Sequence, residues 1–154
     1  MIISNNCVNI VKQFEGFRSK PYKCSAGIPT IGYGSTFYLN NEKVSMNDSE
    51  ITKEFAEELL LKTLSDFSQS VDKLIKVELN QNQYDAIVSF CYNVGVGAFS
   101  NSTMLKLINV NDLTKASNEF IRWNKAKGKV VNGLTIRRKK EKELFDNPYK
   151  FMYI

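Results

Sequence analysis

Residues Phe14 to Thr36 read FEGFRSKPYKCSAGIPTIGYGST, and the character of the chain changes inside this stretch. Up to Glu15 the apolar residues recur at helical spacing, with Val8, Val11 and Phe14 on one face and Ile10 beside them. Beyond Gly16 that period stops. Pro21, Gly27, Pro29, Gly32 and Gly34 supply turn chemistry, with short β-type runs between them. The pattern predicts a helix that ends at Glu15 and gives way to a small, tight β-hairpin region. A carboxylate at a helix C-terminus faces the negative end of the helix dipole, which suits a proton donor better than a structural ion pair.

The spacing adds chemistry to the placement. Glu15 is followed after eight residues by Cys24, and after five more by Thr30. A proton donor, a second acidic or nucleophilic side chain and a hydroxyl would converge from a helix end and a hairpin. Glycosidic cleavage uses such a set: one group protonates the leaving oxygen, another handles the water or the anomeric carbon. Taken singly, Glu15 would be an exposed helix-end carboxylate, Cys24 a small buried hydrophobe and Thr30 an ordinary strand residue. Together, in a glycine-rich setting, they read as a catalytic set.

Glu15-Gly16-x-Arg18, then Tyr22, then Thr30-Ile31-Gly32-Tyr33-Gly34, resembles the bacteriophage-type lysozymes, the endolysins of glycoside hydrolase family 24. The signature of that family is Glu, eight residues, Asp or Cys, five residues, Thr, and it is matched at Glu15, Cys24 and Thr30. Gln83 through Asn93-Val94-Gly95, with Ala98-Phe99 and Ser102-Thr103, resembles the family's central helix and the turn after it. Phe120-x-x-Trp123, Gly128-Lys129, Gly133-Leu134, Arg137-Arg138 and Glu141 resemble its C-terminal signature. One position departs: Ser35 stands where many members carry His.

The resemblance implies a lysozyme-like α+β fold, mainly helical. A small N-terminal β-hairpin lobe (roughly 1–50) and a larger C-terminal helical lobe (roughly 76–154) would be joined by a long helix (roughly 52–75), the whole of 1–154 forming one catalytic domain. It implies a muramidase that hydrolyses the β-1,4 bond between N-acetylmuramic acid and N-acetylglucosamine in peptidoglycan, for host lysis, with no cofactor. Glu15, Cys24 and Thr30 would be catalytic, and Thr36, Tyr92 and Ser102 would line the sugar cleft. An arginine of the last helix would pair with Glu15, Arg137 first and Arg138 in reserve. The competing reading is an inactive basic protein on the same fold that binds cell wall or nucleic acid. The intact Glu15, Cys24 and Thr30 set favours the enzyme.

Composition narrows the field further. A chain of 154 residues can bury a sizeable core as one domain. Its 21 lysines and arginines against 16 acids suit an anionic partner such as the cell wall, and the charge alone would suit nucleic acid equally. The three cysteines, Cys7, Cys24 and Cys91, show no close-pair spacing, and histidine is absent. That argues against a zinc site, a disulfide framework or a His-based nucleophilic scheme, and for reduced thiols. A free thiol is mostly neutral at pH 7, so Cys24 would need its pKa lowered to act as a base, and Lys20 and Lys23 are the nearest cations in sequence. No apolar run reaches membrane-spanning length, and the first fifteen residues are too polar for a signal peptide. The expectation is a monomer without stable membrane insertion. It would wait in the host cytoplasm until a holin-like protein permeabilises the membrane, then act on the wall.

Along the chain, residues 1–16 are expected to form the first helix, capped by Asn5 or Asn6. Thr52 caps the long helix, which could break near Ser68 to Ser70. Asn80-x-x-Gln83 is a capping-box signature opening the most apolar helix, which Gly95 and Gly97 end. Asn101 or Ser102 caps a short helix, and Asp112 starts another that ends near Trp123, itself read as core. Lys127 to Lys129 and Asn132-Gly133 read as turns, and the last helix as Leu134 to Phe145. Its Arg137 to Lys140 run, followed by Glu141 and Glu143, reads as a solvated, ion-paired face.

Overall fold

The computed structural model describes residues 1–148; the last six residues of the expected domain lie outside the described residues. Seven α-helices and two two-stranded antiparallel sheets are present among the described residues: α1 (Asn5–Glu15), β1 (Arg18–Lys23), β2 (Pro29–Gly32), α2 (Lys53–Leu74), α3 (Gln81–Val94), α4 (Val96–Ser100), α5 (Thr103–Asn109), α6 (Leu113–Glu119), β3 (Lys125–Ala126), β4 (Lys129–Val130) and α7 (Asn132–Asp146). A 3-10 turn, Phe120–Arg122, follows α6. The expected α+β, mainly helical class holds. The chain forms two compact units, Val11–Asp66 and Met1–Ile10 with residues 67 onward. The first ten residues therefore join the C-terminal unit instead of standing with residues 1–50.

The smaller unit is built on one hairpin. β1 pairs with β2 in the register Arg18↔Gly32, Tyr22↔Thr30 and Lys23↔Pro29, with an irregularity between Arg18 and Tyr22. Pro21 lies in that gap and has no N–H for the ladder, so the strand bulges there. Gly32 has φ +67, and a Cβ on it would sit 3.0 Å from the Ala56 side chain. Only glycine meets both conditions. A second hairpin follows, with Val44 N donating to Thr36 O at 2.9 Å and Tyr38 N to Glu42 O at 2.9 Å. Ile31, Val44 and Leu59 form the core here, with Tyr38, Ile51 and Phe55 against them.

Helix ends follow the capping rules. The Thr52 hydroxyl accepts from Phe55 N at 3.1 Å, and α2 then runs unbroken past Ser68 to Ser70. Asn80 and Gln83 form the capping box of α3, and Gly95 ends that helix. Gly97, read as a second stop, lies inside the short α4. Two boundaries move. The first helix starts only after Ser4, whose hydroxyl accepts from Asn6 N at 3.2 Å and whose carbonyl accepts from Cys7 N at 3.1 Å, so Ser4 takes the capping role expected of Asn5 or Asn6. Asn132-Gly133 forms the opening of α7 rather than a free turn.

In the larger unit α3 packs against α7. Phe90 meets Phe120 and Trp123 edge-on at 5.5 Å, and Phe120 meets Phe145 at the same distance, so Trp123 belongs to the core as expected. α3 is less uniformly apolar inside than its sequence suggests. Buried Asp85 accepts from Ser4 N at 2.9 Å and from the Ser4 hydroxyl, which ties the N-terminal segment to this unit.

The basic run of α7 corrects another expectation. Arg137, Arg138 and Glu141 are buried, and only Lys139 and Lys140 of the run are exposed. Arg137 Nε lies 3.3 Å from Glu141 Oε2 and Arg138 Nη1 3.3 Å from Oε1. The Ser89 hydroxyl donates to Glu141 at 2.6 Å, Arg137 Nη2 donates to the Ser89 carbonyl at 3.1 Å, and Arg138 donates to Asn93. The Arg138 guanidinium also stacks 5.0 Å from the centre of the Phe90 ring. Burial pushes the Glu141 carboxyl up, while the two guanidiniums and Ser89 oppose it. Helical periodicity places these charges on the inward face, and only paired partners make that burial tolerable. Glu141→Gln removes the charge of the buried carboxylate that Arg137 and Arg138 both face, so it should cost about 3–5 kcal/mol of stability. Glu143→Gln, on the exposed face, should be nearly neutral. Urea unfolding midpoints of the two variants check the difference.

Among the described residues no helix is long and apolar enough to cross a membrane.

Candidate active site

Glu15 is the last residue of α1, half-buried, with Gly16 next at φ +70, so the helix ends where the sequence predicts. Cys24 leaves the end of β1, and Thr30 lies in β2 opposite Tyr22. All three belong to the unit Val11–Asp66. The turn between the strands is closed by Gly27 N donating to Cys24 O at 2.8 Å, with Gly27 at φ +77. The backbone N–H of Cys24 then donates to Ile28 O at 3.1 Å, and the Thr30 hydroxyl donates to the same carbonyl at 2.8 Å. One carbonyl thus holds Cys24 and Thr30 together.

Cys24 is a free, half-buried thiol, whereas Cys7 and Cys91 are fully buried. Its pKa lies below the usual thiol range. The backbone N–H of Ile28 contributes most, then that of Ala26, with the Thr30 hydroxyl adding to them against a smaller effect of burial. The expected source was Lys20 and Lys23, but both are exposed and neither contributes. A tight turn aims its amides inward, and long lysines on the strand's outer edge do not reach the sulfur. Thr30 has one hydroxyl proton. It serves the Ile28 carbonyl while Cys24 is a thiol and can turn to the sulfur once that becomes a thiolate. Thr30 is only 2 % exposed, which suits a residue that steadies Cys24 more than one open to solvent.

Tyr22 joins the site although its spacing assigned it no role. The Arg18 guanidinium lies 4.4 Å from the centre of its ring. Its phenol is pushed up by burial first and then by the charge of Glu15, with Arg18 opposing and Cys24 adding a smaller push. Tyr22 therefore feels the charges of both Glu15 and Cys24. Period-two alternation, which sets Tyr22 and Cys24 on one strand face, was the available signal.

Of the other candidates, Thr36 is half-buried in the same unit, at the base of the second hairpin. Ser35, at the place of the family's histidine, is buried with its hydroxyl unpartnered. Tyr92, Ser102, Arg137 and Arg138 belong to the other unit. Tyr92 is half-buried at the end of α3, its ring 5.5 Å from that of Phe67. Ser102 caps α5: its hydroxyl donates to Phe99 O at 2.7 Å and accepts from Leu105 N at 3.0 Å. No three His, Cys, Asp or Glu side chains among the described residues gather closely enough to hold a metal ion.

With that geometry in place, the comparisons with known proteins converge. The model of the phage lysozyme family matches residues 12–141. An endolysin of Bacillus phage B103 is 45 % identical over 94 % of this chain, which spans 54 % of that relative's length. An endolysin of Acyrthosiphon pisum secondary endosymbiont phage 1 is 44 % identical, covering 96 % of this chain and 99 % of its own. Among solved structures, an endolysin of Escherichia coli O157:H7 phage FAHEc1 superposes with a TM-score of 0.86 at 38 % identity over 98 % of both chains. The muramidase domain of SpmX from Asticaccaulis excentricus gives 0.82 at 34 %, over 95 % of this chain and 98 % of its own. The chain belongs to the phage lysozyme family, and the resemblance read from its motifs holds along nearly its whole length.

Proposed function

We propose that this chain is an endolysin of the muramidase type, a glycoside hydrolase that cuts the β-1,4 link between N-acetylmuramic acid and N-acetylglucosamine in peptidoglycan. The observation that carries the reading is the placement of Glu15 at a helix end in the same compact unit as Cys24 and Thr30, which share the Ile28 carbonyl. Glu15 is the general acid that protonates the leaving glycosidic oxygen. Cys24, as a thiolate held by two backbone amides and the Thr30 hydroxyl, removes a proton from the attacking water. Thr36, Tyr92 and Ser102 are sugar-contacting residues on the strength of the resemblance. The ion pair of Arg137 with Glu15 belongs to the same proposal.

Membership of the family and the intact set weigh against an inactive binding protein. The enzyme works as a monomer, without cofactor, and reaches the wall after a holin-like partner has permeabilised the membrane. Purified chain should clear chloroform-treated Gram-negative cells and release fragments with new reducing N-acetylmuramic acid ends. Binding to isolated sacculi without new reducing ends would mean the non-catalytic reading is the right one.

A further inference from the structure

Charge on this chain is unevenly placed. From Phe120 to Lys140 the sequence holds no Asp or Glu but eight of the 21 basic residues. Arg137 and Arg138 are buried against Glu141, and Arg122 pairs with Glu119 at 2.9 Å. That leaves Lys125, Lys127, Lys129, Lys139 and Lys140, all exposed and with no ion pair among the described residues.

These lysines stand on a stiff support. β3 and β4 are joined by Lys127 at φ +52 and Gly128 at φ +79, the two left-handed positions of a type I′ turn. Val131 N donates to Asn124 O at 2.9 Å, and Asn124 Nδ2 donates to Thr135 Oγ1 at 3.1 Å. The hairpin is thereby pinned to the first turn of α7. Apolar side chains stand among the cations: Val130 is 62 %, Ile136 49 % and Val131 39 % exposed.

We propose that this hairpin and the exposed stripe of α7 through Ile136, Lys139 and Lys140 form a peripheral docking surface for an anionic phospholipid bilayer. Lysines form point-charge contacts with headgroup phosphates, and short aliphatic side chains between them settle at the headgroup–acyl boundary. Nucleic acid fits less well. The arginines of this stretch that could fork onto phosphates are buried or paired, and among the described residues from Phe120 to Lys140 neither aromatic ring is an open stacking platform, since Phe120 is buried and Trp123 packs on Phe90. Exposed valines would gain nothing along a phosphate backbone. The surface lies wholly within one unit and includes none of Glu15, Cys24 and Thr30.

The test is co-sedimentation of the purified chain with phosphatidylglycerol–phosphatidylethanolamine vesicles and with phosphatidylcholine vesicles. Binding to the anionic vesicles alone is expected, weakening as salt rises. K127Q/K129Q/K139Q/K140Q should lower the partition coefficient roughly a hundredfold or more, at about fivefold per lysine. V130S/V131S should lower it by roughly tenfold without changing retention on a heparin column. A control with the same loss of charge elsewhere, K43Q/K53Q/K73Q/K106Q, should bind nearly as well as the parent. Melting curves establish that each variant is folded. Equal binding to both vesicle types, or an equal loss in the control, would overturn the proposal. So would tight binding to a labelled DNA duplex that outlasts vesicle binding and ignores the valine changes, which would assign the surface to nucleic acid.

Discussion

Glu15→Gln should lower cell-wall hydrolysis by at least about a hundredfold, because a positioned general acid typically supplies 10²–10⁴ of the rate. Gln keeps the size and hydrogen-bonding shape of the side chain but has no proton to give to a departing sugar oxygen. Glu15 closes α1 beside Gly16 and is half-buried, so an isosteric change leaves the helix end intact. Far-UV circular dichroism and the melting midpoint should match the parent, and binding to isolated sacculi should survive. A folded variant with near-parental turbidity clearance would remove Glu15 from the chemistry and, with it, the present reading of the hairpin.

The second large effect is expected at Cys24. Burial pushes the thiols of Cys7 and Cys91 far up, so an alkylating reagent near neutral pH should select Cys24, and bound oligosaccharide should protect it. In a Cys7→Ala, Cys91→Ala background Cys24 is the only thiol. There Cys24→Ala should lose most activity, roughly tenfold to a hundredfold or more. Cys24→Asp should remain active, because a carboxylate is the family's alternative at this position.

The two active forms should differ in pH dependence. A thiol gains its working charge as pH rises, so the cysteine form should show an activity limb that climbs with pH. Its midpoint should fall below the usual thiol range, because the Ile28 and Ala26 amides favour the thiolate. The aspartate form, already ionised there, should show no such limb. Thr30→Val, which deletes the hydroxyl that steadies the sulfur, should move the cysteine limb to higher pH. An alanine variant as active as its parent would reduce Cys24 to a packing residue.

Much of this was legible in the sequence, and the legible part is local. Thr52, Asn80 with Gln83, and Asp112 announce helix starts because a capping side chain reaches only two or three residues along its own chain. The Glu15, Cys24, Thr30 spacing is local in the same sense: a helix end, the end of a strand and the facing strand carry the three within one compact unit. The start of α1 is the helix boundary that local sequence does not fix. Ser4, not Asn5 or Asn6, offers the oxygen at the start of α1, because its partner Asp85 lies 81 residues away.

The sequence alone therefore determined the class of fold and the order of the first hairpin and the main helices, and it supplied the residues proposed here as the catalytic set. Tertiary structure decided which charges are buried and what lowers the Cys24 pKa. Arg137, Arg138, Lys139 and Lys140 are one basic run to the eye, yet the packing of α7 on α3 turns the first two inward onto Glu141 and Ser89 and leaves the lysines outside. Lys20 and Lys23 are the nearest cations in the chain, yet the amides of Ala26 and Ile28 act on the sulfur, because a turn points its N–H groups inward whatever side chains flank it. Spacing along a chain specifies what a helix or turn can present. The energy of an ionised group depends on the few ångströms around it, and those are filled by residues from elsewhere and by backbone that every sequence shares.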